Sequence, residues 1–271
     1  MNDGIGCEGF VWRYLKDALA ERGRVVHWHY RGHGRSGSPV DRHRVSMPNL
    51  ATDMWAVLDT LNIGNAIVLG HSMGCQVALE SYRQHPERVI GLGLLNGSAG
   101  RITETFHGTD LLSHVLPPLL ERVQQFSGVG RAIWSRMPAS IAYSVAKLGG
   151  EIDGTRVRRE DFVRYWENIA LMEPELFFQI LKQAGEHSAH DLLANIDVPT
   201  IVITGERDTF TPAEVTEAMA ATIPGARFVN IKEGTHASPI EQPELVVESL
   251  LAFFEERGLF NMPPKQPRAR A

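Results

Sequence analysis

Cysteine is scarce in this chain: Cys7 and Cys75 are the only two among 271 residues. Two thiols cannot build a disulfide framework, which points to a reducing compartment, the cytoplasm being the simplest. No run of eighteen or more apolar residues occurs, so no stretch reads as a membrane-spanning helix. Basic charge is not in surplus either. Lys and Arg number 27 against 32 Asp and Glu, a formal net charge of -5, which argues against a dedicated nucleic-acid binder. The opening residues lack the charged-then-apolar pattern of a secretory signal, and there are no internal repeats. What remains is an ordinary globular composition, 43% hydrophobic and 22% charged, long enough for one large domain or a domain with a big insertion.

Apolar runs of strand length alternate with segments of helical period. Arg24–His29 reads as a strand, followed by the glycine-rich loop Arg31-Gly32-His33-Gly34-Arg35-Ser36-Gly37. Leu50, Met54, Val57, Leu58 and Leu61 recur at helical spacing. Strands are predicted at Ala66–Leu69, Val89–Leu95, Thr200–Ile203 and Arg227–Ile231. Helices are expected from Met73 to His85, where Pro86 stops them, and from about Pro243 to Arg257. Short, continuously apolar strands between helices predict an α/β fold with a mostly parallel sheet covered on both faces. The core is expected over 1–98 and 192–257. Residues 99–191 carry helical patterning without a convincing strand and read as a helical cap insertion. The proline- and arginine-rich tail, 258–271, is expected to be disordered.

The sequence Gly70-His71-Ser72-Met73-Gly74 fits Gly-x-Ser-x-Gly directly between a predicted strand and a predicted helix. A tight strand-to-helix turn strains the serine and lifts its hydroxyl above the sheet edge, and the following N–H, that of Met73, faces a developing oxyanion. So short a pattern also arises by chance, and here its context on both sides decides in its favour. Serine needs a base. His236, between the last strand and the last helix, falls at the same carboxyl edge of the sheet, whereas His71 lies inside the turn and His27 and His29 fall on a predicted strand. The imidazole needs a carboxylate to fix its tautomer. Asp208, just past the Thr200–Ile203 strand, supplies it; Glu206 is its neighbour in sequence, and the alternative position after Val89–Leu95 carries Asn96, an amide without charge. The chain order Ser72, Asp208, His236 is nucleophile, acid, base.

With these segments the chain resembles the α/β-hydrolase family. The turn at 70–74 resembles its nucleophile elbow, 31–36 the loop after its fourth strand, and Gly205-Glu206-Arg207-Asp208 and Gly234-Thr235-His236 its acid and base segments. The likeness covers about 1–98 and 192–257, leaving the insertion as the family's variable cap, and it implies neither metal nor organic cofactor. The family's second oxyanion donor comes from a His-Gly-x turn. Asp3-Gly4-Ile5-Gly6 stands in that place, which makes the Ile5 N–H the candidate and puts Asp3 where histidine is usual. By the same resemblance, the strand before this turn lies between those represented by Arg24–His29 and Asn65–Leu69, and the first three strands are missing. A central gap leaves unpaired ladder groups at about 1–3 kcal/mol each when buried, so the natural chain is expected to carry residues upstream of Met1. Direct pairing of the two strands in an unbroken sheet would count against this.

Two Gly-x-Gly-x-x-Gly matches, at 4–9 and 32–37, lack the strand before or the helix after that a nucleotide site needs. His187, His190 and Asp191 share a helical spacing without a further evident ligand, and no metal site is assigned. Cys75 reads as a core thiol. In the insertion, Leu111, Leu112, Val115, Leu116, Leu119, Leu120, Ile133, Trp134, Met137, Ile141 and Tyr143, then Phe162, Tyr165, Trp166, Ile169, Met172, Phe177, Phe178 and Ile180, pack the cap and leave an apolar lining above Ser72. The expected function is a serine hydrolase acting on a carboxylic ester or thioester of a hydrophobic small molecule. The same triad serves carbon–carbon bond hydrolysis, perhydrolysis or acyl transfer, and a small-molecule receptor that turns over poorly is the alternative from another class.

Overall fold

The structure, a computed structural model, describes residues 1–101, 134–136 and 138–263. Among these residues four parallel strands form one sheet in the order β1 (Ala66–His71), β2 (Val89–Leu95), β3 (Thr200–Gly205) and β4 (Arg227–Ile231). The alternation of side chains along each strand sorts the core into two layers. Val68, Leu92, Leu94 and Val202 join a cluster on one face, and Leu69, Leu95, Ile201, Ile203 and Ile231 one on the other. Because both faces are covered, the strands carry apolar residues at successive positions.

The helices are α1 (Leu15–Ala20), α2 (Met47–Thr60), α3 (Met73–Gln84), α4 (Ala139–Gly149), α5 (Arg159–Leu171), α6 (Pro174–Glu186), α7 (His190–Leu193), α8 (Ala213–Thr222), α9 (Ser238–Glu241) and α10 (Pro243–Glu256). Helices α2, α3 and α8 supply the first cluster and α1 and α10 the second. Helices α4 to α6 lie in the insertion. The chain leaves the sheet after β2 and returns before β3 through a shared clasp: Ala189 N–H donates to Ala99 O at 2.7 Å and Arg101 N–H to His187 O at 2.8 Å. No helix among the described residues is long and apolar enough to cross a membrane.

Two sequence expectations need correction. Arg24–His29 forms no strand. It runs alongside β1 without pairing to it, because Met1–Asp3 stand between the two at their upper ends. Asn2 N–H donates to Leu69 O at 2.8 Å, His71 N–H to Asn2 O at 3.1 Å, and the Met1 ammonium to Val26 O at 2.9 Å. Below these bonds lies a cavity of about 530 Å³ lined by Val25, Val26 and Trp28 on one side and Ile67 and Leu69 on the other. An extended segment without a ladder partner does not become a strand. The second correction concerns 258–263. This stretch is ordered: Leu259–Asn261 form a 3₁₀ turn, and Leu259 is buried beside Phe254 in the second cluster. The rest of the tail, and Leu111, Leu112, Val115, Leu116, Leu119, Leu120, Ile133 and Met137 of the insertion, lie outside the described residues.

Candidate active site

At the carboxyl end of β1, Ser72 adopts φ 56° and ψ -124°, a region that costs a residue with a side chain roughly 1–3 kcal/mol. The turn is closed tightly enough to demand glycine on both sides. A Cβ on Gly70 would stand 2.2 Å from Gly74 O, and one on Gly74 2.2 Å from Asn2 O. Helix α3 starts at the next residue, and Ser72 N–H donates to Leu95 O of β2 at 2.9 Å. The serine is therefore fixed from the helix side and from the neighbouring strand.

Asp208 and His236 arrive from the ends of β3 and β4 and meet. The His236 Nδ1–H lies 3.0 Å from Asp208 Oδ1 and 2.9 Å from Oδ2. Asp208 is buried, and it also accepts from Phe210 N–H and Thr211 N–H, each at 2.9 Å, and from Thr211 Oγ1 and Asn96 Nδ2, each at 3.0 Å. Burial alone would raise its pKa. The adjacent His236 and the bonds from His236, Thr211 and Asn96 outweigh that and hold the carboxyl below its ordinary value. An aspartate in this state remains ionised and keeps the proton of the imidazole on Nδ1, leaving Nε2 as the free base position. Phe210 stacks on the His236 ring at 4.7 Å.

His71 supports this arrangement. Its ring lies 5.0 Å from that of His236, and its Nε2–H donates to the His236 carbonyl at 3.0 Å. Burial and the neighbouring His236 lower its pKa to about 4, so it is neutral at pH 7. Residue 72 is thereby tied to residue 236 through a single intervening side chain. Among the described residues, no hydrogen bond joins the Ser72 hydroxyl itself to the His236 ring. Such bonds are commonly long without substrate and tighten when it binds.

The turn Asp3-Gly4-Ile5-Gly6 lies directly against the serine. A Cβ on Gly4 would stand 3.1 Å from Ser72 Cβ and 3.3 Å from His71 Nδ1. The Asp3 carboxylate is engaged away from this contact. Its Oδ2 accepts from Gly9 N–H at 3.0 Å and lies 2.7 Å from His27 Nε2. No hydrogen bond from the Ile5 or Met73 N–H is found among the described residues.

Sequence reasoning brought Ser72, Met73, Ile5, Asp208 and His236 to one rim but missed their supports. Asn96, set aside as a poor acid, donates to Asp208 Oδ2 and to Thr235 O at 3.1 Å and accepts from Ser238 Oγ at 2.8 Å. Its position at the end of the strand between β1 and β3 was the available signal. His187 Nε2 lies 2.9 Å from Glu80 Oε1, and Asp191 pairs with Arg83 at 2.8 Å. No group of three or more potential ligands suited to a metal occurs among the described residues.

The sheet, its rim and the strained serine belong to a known class. The family model for the alpha/beta hydrolase fold matches residues 4–243, and the chain belongs to that family. A curated relative, the putative carbamate hydrolase RutD of Azorhizobium caulinodans, is 28% identical over 263 residues, covering 94% of this chain and 90% of that one. A thermophilic esterase from Thermogutta terrifontis matches in structure with a TM-score of 0.76 at 26% identity, over 94% of this chain and 88% of that one. An enol-lactonase from Burkholderia xenovorans LB400 reaches a TM-score of 0.74 at 23% identity, over 94% and 89%, a likeness of fold alone.

Proposed function

We propose that this chain is a serine hydrolase of carboxylic esters or thioesters of hydrophobic small molecules. Ser72 Oγ attacks the carbonyl carbon while His236 Nε2 takes its proton. The negative charge that develops on the carbonyl oxygen is met by the Met73 and Ile5 amides. The tetrahedral intermediate then collapses: the alcohol or thiol leaves with the proton from His236, and the acyl group stays on Ser72. Water, deprotonated by His236, attacks the acyl-enzyme and releases the acid with Ser72 restored. Asp208 orients the imidazole and stays ionised throughout.

The observation that carries this reading is the Asp208–His236 pair at the same sheet rim as a serine held at φ 56°. Apolar side chains of the insertion close to the oxyanion turn favour a hydrophobic acyl group. A Cβ on Gly6 would stand 2.7 Å from Ile169 Cγ1, and Phe177 and Phe178 flank Trp134 at 5.2 and 5.7 Å. The carbamate named for the relative is a carbonyl that the same steps accommodate. The reading places the protein among soluble cytoplasmic enzymes without a metal or organic cofactor.

The test is burst kinetics with a chromogenic short-chain ester, together with labelling by a fluorophosphonate. Ser72→Ala is expected to abolish labelling and to lower kcat by about 10⁶-fold. A loss below tenfold would remove Ser72 from the chemistry. Tight ligand binding without labelling would favour a receptor instead.

A further inference from the structure

The loop that presents the Ile5 amide is gripped from two sides at the next peptide. Gly6 N–H donates to His33 Nε2 at 3.1 Å, and Gly6 O accepts from Asn168 Nδ2 at 2.9 Å. His33 is fully buried, and its Nδ1–H donates to Arg31 O at 3.2 Å, so Nε2 carries the lone pair that Gly6 needs. Burial lowers the His33 pKa to about 4, which keeps the ring in this neutral form. His33 belongs to the core. Asn168 belongs to helix α5 of the insertion, 162 residues from Gly6, and is 5% exposed.

Helix α5 has little freedom to sit elsewhere. Asp161 is buried on it and binds Arg13 and the Tyr14 hydroxyl, the latter at 2.8 Å, while Tyr165 stacks on Phe10 at 5.1 Å. All three partners follow the oxyanion turn in sequence. Gly6 has φ +71°, and its backbone is pressed so closely on Ile169 that no side chain fits between them. The backbone of the turn thus packs directly against side chains of the insertion.

Building on the hydrolase reading above, we infer that Asn168 is a positioning residue: by bonding the Gly6 carbonyl it makes helix α5 fix the turn that presents the Ile5 amide, so that acylation of Ser72 depends on the seating of the insertion. Loss of the side-chain amide leaves a buried carbonyl unpaired and frees the turn to rotate. Ile5 N–H then no longer points where the oxyanion forms, and the penalty falls on the transition state rather than on substrate binding.

The experiment compares wild type, Asn168→Ala and the near-isosteric Asn168→Asp, which places an acceptor where a donor is needed. With a chromogenic ester, kcat is expected to fall about tenfold in Asn168→Ala and further in Asn168→Asp, with KM within about twofold. The preference for the ester over the matching thionoester, whose sulfur uses an oxyanion hole poorly, is expected to shrink by a similar factor. A residue that only stabilises the fold would slow both substrates equally. Hydrogen exchange supplies a readout independent of turnover: amides of residues 4–7 should exchange about tenfold faster in Asn168→Ala. Unchanged ester preference and unchanged exchange in both variants, with Ser72 still reactive in the wild type, overturn the inference alone. A wild type that never acylates at Ser72 overturns the hydrolase reading, and the exchange rates still decide whether Asn168 holds the turn.

Discussion

Asp208 accepts hydrogen bonds from four residues, and only one of them, His236, was visible as a partner in the sequence. The meeting of Asp208 and His236 was legible because a carboxylate and an imidazole each follow an apolar strand-length run, and parallel strands deliver such residues to one edge. Asn96, Thr211, His71 and His33 were not legible in the same way. Asn96, His71 and His33 act through contacts across the fold, and Thr211 through a loop bond three residues from Asp208. Asp3 illustrates the difference. Its replacement of histidine looked unfavourable beside an oxyanion, and only the coordinates reveal that Gly9 and His27 hold its carboxylate. At this scale the decisive variant is Asp208→Asn. An amide permits the wrong imidazole tautomer, and kcat is expected to fall about 10⁴-fold with little change in KM, measured on the chromogenic ester.

Elements were read well where periodicity and punctuation agreed. The helix expected from Met73 to His85 is observed at Met73–Gln84, and the one from Pro243 to about Arg257 at Pro243–Glu256. Strand boundaries hold to within two residues for the four strands that pair. Arg24–His29 failed for a reason outside its own sequence, since strand character needs a partner and the lower part of its edge faces a cavity. The described part of 139–186 was legible as helical, but not which of its helices reaches the turn at residues 3–6. That depends on Asp161, Tyr165 and Asn168, whose spacing of 4 and 3 places them along one helical face, an unremarkable pattern by itself. The strand-to-helix turn is the most demanding element. Gly74→Ala would drive a Cβ to 2.2 Å from Asn2 O, and the variant is expected to lose more than about 2 kcal/mol of stability in urea titrations. Retention of wild-type stability would mean that the turn has more room than the contact allows.

For the whole molecule, the two buried histidines set an acid limit on stability. His33 and His71 have their pKa lowered to about 4 by burial, against 6.5 when free. Between those values the unfolded chain binds protons that the folded one refuses, so stability rises with pH across this window. Full stabilisation is present above about pH 6.5 and is lost as pH falls towards 4, by about 3 kcal/mol for each group. Urea midpoints measured from pH 7 down to pH 4.5 should fall steadily, and a flat profile would contradict the assigned burial.

Because Asn96 Nδ2 touches Asp208 Oδ2 across adjacent strand ends, the rim offers two neighbouring seats for one negative charge. Exchanging them, with Asn96→Asp and Asp208→Asn together, relocates the anion by a strand's width and restores an amide–carboxylate contact in mirror order. The double variant is expected to recover about tenfold or more of the activity that Asp208→Asn loses, read as kcat on the same ester. That recovery would show the negative charge beside His236 to be transferable between two chain positions 112 residues apart.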